Sequence, residues 1–463
     1  MKPSRTTSLT HILSLALGTT ALTGLLAVTP ASAESLTDAL AAAYQTNPTL
    51  QAQRAQLRAT DEGVSQALSG WRPTVQAQGT AGRTKTDVTA SFGSSGIVDP
   101  RTYSVTLDQN LFAGGRTVNA TEQAEAAVES GRGTLESVEQ STLLEAVQAY
   151  MNVIRDQSVV DLNSNNVEVL KRQLEATTDR FLVGELTRTD TAQAEARLSL
   201  AKSNLTASEA QLTASRAFYQ RVVGQMPGTL ERPKAVDDLP ESEDAARTVA
   251  EESNPTLRAA RHAEAASRSA ISVAKGALLP SVDVQLNYQF AKDPSTTVRE
   301  AEESSILGVL TIPLYQSGSE YSRVREAKEI NNRSRLEVVA TMREVDEQVR
   351  VAWDQLRSSR ASIVSTKEGV NASAIALEGV RQESEVGART TLDVLNAEQE
   401  YLNARVSLVS AERDLAVAEY GLLAAMGLLT ARSLELPVDY YDPAVNYGEV
   451  RNKWIGFGTA GDE

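Results

Sequence analysis

The stretch VGARTTLDVLNAEQEYL, Val386 to Leu402, has a counterpart two hundred residues earlier in VGELTRTDTAQAEARL, Val183 to Leu198. Each reads Val-Gly, two residues, Thr, two residues, Asp, and then an alanine- and glutamate-rich run. Gly184 and Gly387 suit the position just past a helix end, where a left-handed backbone is needed. Thr187 and Thr390 suit the N-cap of the next helix, with Asp190 and Asp393 three residues on completing a capping box. Only two residues separate Gly from Thr, so the pattern predicts a tight helical hairpin, made twice.

Outward from these tips the repetition continues. Glu34-Ser35, Asn47-Pro48-Thr49-Leu50 and Pro73 recur as Glu241-Ser242, Asn254-Pro255-Thr256-Leu257 and Pro280, at an offset of 207. Beyond a first-half loop four residues longer the offset becomes 203, holding for Gly115 with Gly318, Asp190 with Asp393 and Gly224 with Gly427. The chain is a tandem duplication of roughly 34–226 and 241–429. Two copies of this size do not make a solenoid.

Prolines punctuate each unit. Asn47 and Asn254 are good N-caps with Pro following at the first helical position, so helices start there and stop before Pro73 and Pro280. Each unit then offers a hairpin of strands near ten residues long. SVDVQLNYQF, 281–290, places Val282, Val284, Leu286, Tyr288 and Phe290 on one face, and Tyr103, Val105 and Leu107 alternate likewise with Thr106, Asp108 and Asn110. Segments 73–91 and 304–315 alternate less cleanly, and the connecting loops fall around Ser94-Ser95-Gly96 and Asp293-Pro294. This period fits an outer-membrane strand or any half-buried sheet. Between Pro100 and Pro227, and between Pro313 and Pro437, there is no proline, and from about 116 to 182 and 319 to 385 the composition favours helix. A helix of roughly 65 residues is about 100 Å long.

The return helices indicate how such elements pack. After Asp393, apolar pairs recur every seven positions: Val394-Leu395, Tyr401-Leu402, Leu408-Val409, Leu415-Ala416 and Leu422-Leu423. A second stripe is alanine throughout: Ala397, Ala404, Ala411, Ala418 and Ala425, echoed in the first unit by Ala194, Ala201, Ser208 and Ser215. A heptad enforces left-handed supercoiling, and the small stripe admits a further helix on the other flank. A two-helix coiled coil explains the first stripe only.

Composition bounds the rest. Among 463 residues aromatics are only 5%, and 60 acidic against 45 basic residues give a net charge of −15, which argues against a nucleic-acid partner. The chain has no cysteine, hence neither disulfide nor lipoprotein attachment site. His262 lies in a helical run and reads as a surface residue, and no cofactor or metal site is expected. Residues 1–33 read as a signal peptide: Lys2 and Arg5, an apolar run from Ile12 to Val28, and Ala31-Ser32-Ala33, which predicts cleavage between Ala33 and Glu34. No other stretch is apolar over eighteen residues, so any membrane passage is through strands. Glu251-Glu252, Glu302-Glu303 and Asp237-Asp238 are adjacent acids in polar segments and read as solvated, so no enzyme is expected.

With Asn-Pro-Thr-Leu opening each repeat, Leu279-Pro280-Ser281-Val282 leading into a strand, Leu111-Phe112-Ala113-Gly114-Gly115 and Pro313-Leu314-Tyr315-Gln316-Ser317-Gly318 leaving the strands, and Val386-Gly387-Ala388-Arg389-Thr390 at the tip, the mature chain resembles the TolC family of outer-membrane efflux and secretion channels. The resemblance implies an α+β membrane protein: a homotrimer whose protomers give four strands each to one twelve-stranded β-barrel, continued by a coiled-coil α-helical barrel through the periplasm, with a mixed equatorial domain. On that plan the segments are opening helices 34–72, a β-hairpin 73–113, a long helical hairpin 114–226 with its tip near 184–190, and an equatorial linker 227–245. The second repeat then gives an opening helix 246–279, a β-hairpin 280–316, a helical hairpin 317–428 with its tip near 387–393, and a C-terminal equatorial segment 429–463.

Physics supports the shared barrel independently. Four strands cannot enclose a lumen, and open edges in hydrocarbon leave unpaired backbone groups costing several kcal/mol each. The family plan further implies a gate at the tips, with Asp190 and Thr189 facing Arg389, and with Asp393 and Asn396 lining the constriction. Ser384 stands where an aromatic often contributes, and Asn396 replaces an acid, which implies a looser, less charged gate. The implied partners are a periplasmic adaptor protein and an inner-membrane ABC transporter or proton-driven pump, for type I protein secretion or, alternatively, small-molecule efflux from a Gram-negative envelope. A periplasmic coiled-coil tether without a pore is the remaining structural reading.

Overall fold

The computed structural model of the protein describes residues 34–89, 95–236 and 239–459. The expected signal peptide including Ala33, the loop residue Ser94 and the pair Asp237-Asp238 lie outside the described residues. Helices α1 (Leu36–Thr46) and α2 (Pro48–Leu68) lead to strands β1 (Thr74–Ala81), β2 (Thr84–Thr86), β3 (Gly96–Val98) and β4 (Arg101–Ala113), and then to the long helix α3 (Arg116–Leu182) and its return α4 (Arg188–Val223). The second unit repeats this with α5 (Glu243–Ser253), α6 (Pro255–Gly276), β5 (Ser281–Lys292), β6 (Glu300–Thr311), α7 (Ser319–Glu385) and α8 (Thr391–Met426), followed by α9 (Pro443–Arg451).

The second unit opens with two helices where the sequence reading placed one, and α5 begins inside the 227–245 stretch assigned to a linker. Ser242 causes this. Its hydroxyl accepts from the Ala245 amide at 3.2 Å, and Glu243 and Asp244 occupy the first turn, where acids favour the helix dipole. Strand β6 likewise starts four residues before the 304–315 segment, and β2 pairs with β3 as a short extension beyond the first hairpin.

The duplicated asparagines fix the two halves in the same way. Asn47 accepts from the Thr49 and Leu50 amides at the start of α2 and donates to the Val222 carbonyl at the end of α4. Asn254 does the same for Thr256 and Leu257 of α6 and for Ala425 at the end of α8. One side chain thus starts an opening helix and ties it to the return helix of its own repeat.

The main core lies where these elements meet. Tyr150 of α3 and Tyr219 of α4 are fully buried, with ring centroids 6.5 Å apart, among Leu40, Leu143, Val349 and Leu422. Glu34 is held there: its carbonyl accepts from the Tyr150 hydroxyl at 2.8 Å and its carboxylate from Tyr219 at 2.5 Å and Gln225 at 3.1 Å. Burial raises the pKa of both tyrosines, keeping them neutral donors. Along the hairpins the seam narrows to single files. Ala194, Ala201, Ser208 and Ser215 of α4 are all buried, so the small stripe packs directly on a neighbouring helix, and Ser215 donates to Asp156 of α3. Helix α8 packs against both α7 and α3 and buries Leu395, Leu402, Ala411, Ala418 and Leu422.

Strands β1, β4, β5 and β6 form one antiparallel sheet in that order. Its outer strands, β1 and β6, each have a partner on one side only among the described residues.

Candidate functional site

Register places the side chains of the sheet. Val75 lies opposite Leu107, which faces Leu286, which faces Ile306. The neighbouring rows on the same face are Ala77, Val105, Tyr288 and Ser304, and Gly79, Tyr103, Phe290 and Glu302, so the face turns polar towards the start of β6, where the Tyr288 hydroxyl donates to Glu302 at 3.0 Å. The intervening rows, on the other face, hold Gln76, Thr106, Asn287 and Ser305, and Gln78, Ser104 and Gln289. Polar residues of that face bond across strands: Thr106 donates to Asn287 at 3.3 Å and Asn110 to Asp283 at 2.7 Å. Yet the apolar face is uncovered: Tyr103 is 57% exposed and Ile306 76%. A sheet with one mostly apolar, uncovered face and one hydrogen-bonded polar face suits a wall between lipid and a watery lumen.

At the opposite end of the long helices stand the two tips. Gly184 and Gly387 have φ of +85° and +78°, conformations that a Cβ would strain. Thr187 and Asp190 form a reciprocal cap: the Asp190 carboxylate accepts from the Thr187 amide at 2.9 Å and hydroxyl at 2.7 Å. Thr390 and Asp393 repeat it at 3.0 and 2.8 Å. These bonds hold both aspartates below the usual carboxylate range, for Asp190 chiefly the Thr187 hydroxyl and for Asp393 chiefly the Thr390 amide.

The expected Asp190 to Arg389 link is not made within the chain. Arg389 instead pairs with Glu383 on the last turn of α7 at 2.8 Å, while Asp190 is engaged by its cap. The local partner is six residues away across a tight turn, so the ion pair forms without ordering a second hairpin. Thr189 and Asn396 are exposed, and Ser384 is half-buried with its carbonyl accepting from the Gly387 amide. The polar link that does join the two tip regions was not foreseen: Arg197 of α4 donates to Asn396 of α8 at 2.7 Å. Its partners are 199 residues apart, on helices of different repeats, and no local pattern signals the pair.

An amphipathic sheet at one end of two long helical hairpins, each closed by a capped tip, defines a subunit of an outer-membrane channel. The chain belongs to the outer membrane efflux protein family, which it matches over residues 39–225 and 247–428, the two repeats. It is 37% identical to the outer membrane efflux protein BepC of Brucella suis biovar 1 over 441 residues, 95% of this chain and 94% of that one. It is 28% identical to the alkaline protease secretion protein AprF of Pseudomonas aeruginosa, over 77% of this chain and 76% of that one. Among solved structures, the CmeC outer membrane channel of Campylobacter jejuni superposes with a TM-score of 0.77 at 16% identity, covering 90% and 89% of the two chains. The protein is therefore an outer-membrane component of an efflux or secretion system, in a family of channels rather than enzymes.

Proposed function

We propose that three copies of this chain close a twelve-stranded barrel and a continuous helical tunnel, and that the assembly is the exit duct of a tripartite export machine. The observation that carries this reading is the four-stranded sheet with one mostly apolar face and two edges unpaired among the described residues. In hydrocarbon those edges require strands from other chains. Helix α7 points the same way: Leu336, Val351, Val364 and Ile375, spread along its middle, are 70%, 62%, 56% and 66% exposed, whereas the exposed large apolar residues of the matching α3, Val118, Phe181 and Leu182, lie at its two ends, and a neighbouring copy would cover the α7 stripe. Copies recruited by an inner-membrane transporter and an adaptor at the tips then pass cargo without chemistry.

The cargo we favour is protein, through a type I secretion system, supported by the likeness to a protease secretion protein. Small-molecule efflux is the second reading, favoured by the likeness to BepC over nearly the whole chain. Thr189, Asp190, Arg389, Asp393, Asn396 and Ser384 are proposed to shape the periplasmic mouth, with Arg389 exchanging its Glu383 partner for an acid on an adjacent hairpin when the mouth closes. Conductance of the purified protein in a planar bilayer tests the duct, and a pore-free bilayer at saturating protein removes it. Deleting the gene and measuring both drug susceptibility and the secreted proteome separates the two cargoes.

A further inference from the structure

The last described residues present apolar side chains in an ordered turn. After α9 the Lys453 carbonyl accepts from Ser65 at 3.2 Å and from the Arg72 guanidinium at 2.9 Å, which fixes the tail to the last turn of α2 and to a residue two places before β1. The Arg72 guanidinium also lies 5.2 Å from the Trp454 ring. Beyond it, Gly456 takes φ +125° and the Lys453 ammonium donates to the Gly458 carbonyl at 2.5 Å, closing the turn. Trp454, Ile455 and Phe457 project from it, 65%, 92% and 100% exposed. An ordered turn that holds three large apolar residues outside the fold requires something to cover them.

We infer that this turn inserts into the periplasmic leaflet of the outer membrane as an interfacial anchor. Its place decides the occupant. It is pinned by Arg72, whose sequence neighbour Trp71 is 41% exposed and accepts at its carbonyl from Gln109 of β4, so the patch continues the lipid-facing wall at its periplasmic edge. Tryptophan and phenylalanine flanked by Arg72, Arg451 and Lys453 suit the boundary between acyl chains and headgroups. The chain has no cysteine to carry an acyl anchor, and this turn supplies apolar contact at the same depth.

The inference rests on the barrel reading for the position of the bilayer, and the absence of cysteine makes a site-specific test simple. Phe457→Cys, Ile306→Cys on the apolar face of β6, and Val386→Cys at a tip are each spin-labelled and reconstituted into phosphatidylethanolamine–phosphatidylglycerol vesicles. Collisions with oxygen and with a water-soluble nickel chelate are then compared. The expected result is an oxygen-to-nickel accessibility ratio at 457 several-fold above that at 386, and close to the ratio at 306. A ratio at 457 equal to that at 386 makes the tail a solvated end and overturns the anchor. A label at 457 immobilised and shielded from both reagents places the turn against a second copy and overturns it too. If 306 also behaves as aqueous, the barrel itself has failed and the anchor falls with it.

Discussion

At the residue scale, the tip aspartates act first on local backbone. Each satisfies amide groups that the start of its helix leaves unpaired. Replacing Thr187 by Ala removes the N-cap and is expected to cost about 1 kcal/mol, read as faster amide exchange over the first turn of α4 with the oligomeric state unchanged. The carboxylates add a pH dependence of known sign. Because their pKa values lie below the ordinary 3.8, the stabilisation is complete above that value and is lost as pH falls through the depressed one. Tip amide protection should therefore be flat between about pH 5 and 8 and fall in stronger acid. Arg389→Ser tests a different role: its pair with Glu383 is half exposed, and solvent screening leaves it little weight in stability. A rise in resting conductance with unchanged stability would place Arg389 in the mouth, whereas unchanged conductance would leave it a local ion pair.

Asp61 makes the opposite prediction. It is fully buried, Asn446 of α9 donates to one of its oxygens at 2.7 Å, and the other has no hydrogen-bond partner among the described residues. Burial raises its pKa, so its contribution is present in acid and is lost as pH rises through the raised value. Asp61→Asn should raise the melting temperature at neutral pH, with the gain shrinking towards pH 4, and a lower neutral melting temperature would refute this reading.

At the scale of elements, the packing of α4 on α3 through Ala194, Ala201, Ser208 and Ser215 leaves no room for larger side chains. Ala201→Leu is expected to cost about 1–3 kcal/mol through overpacking, measured as a lower melting temperature of the assembled protein. The neighbouring Leu200, 49% exposed, should tolerate polar replacement. Much of this architecture was legible from the chain because its determinants are short-ranged. Prolines and N-capping asparagines bound the helices, Gly-x-x-Thr-x-x-Asp makes the tips, and a seven-residue period dictates supercoiling. What was not legible is long-range. The Arg197 to Asn396 bond and the burial of Asp61 by α9 depend on how separate elements meet, and residue type alone does not encode that meeting. Helix α5 is an exception. Ser242 followed by two acids was a readable start, and its echo of Ser35 was present in the repeat.

At the scale of the whole molecule, one chain is an incomplete wall. Detergent-extracted protein should have three times the 49.7 kDa chain mass less the signal segment, and a monodisperse monomer by native mass spectrometry would end the shared-barrel reading.

The two long helices are both 67 residues and the two return helices both 36, although the repeats that contain them have diverged. Equal lengths bring both tips to one plane. Every residue added to one limb of a hairpin turns the remainder by about 100° and lifts it by about 1.5 Å, so an unmatched change misaligns every seam beyond it. Length here is thus inherited as a coupled quantity, alterable only in steps that keep the heptad and occur in both limbs of both hairpins. Seven residues inserted in α7 alone should abolish assembly. The same insertion made at matching heights in α3, α4, α7 and α8 should give a longer duct that still conducts, so that a lineage facing a wider periplasm would have to lengthen all four helices together or none.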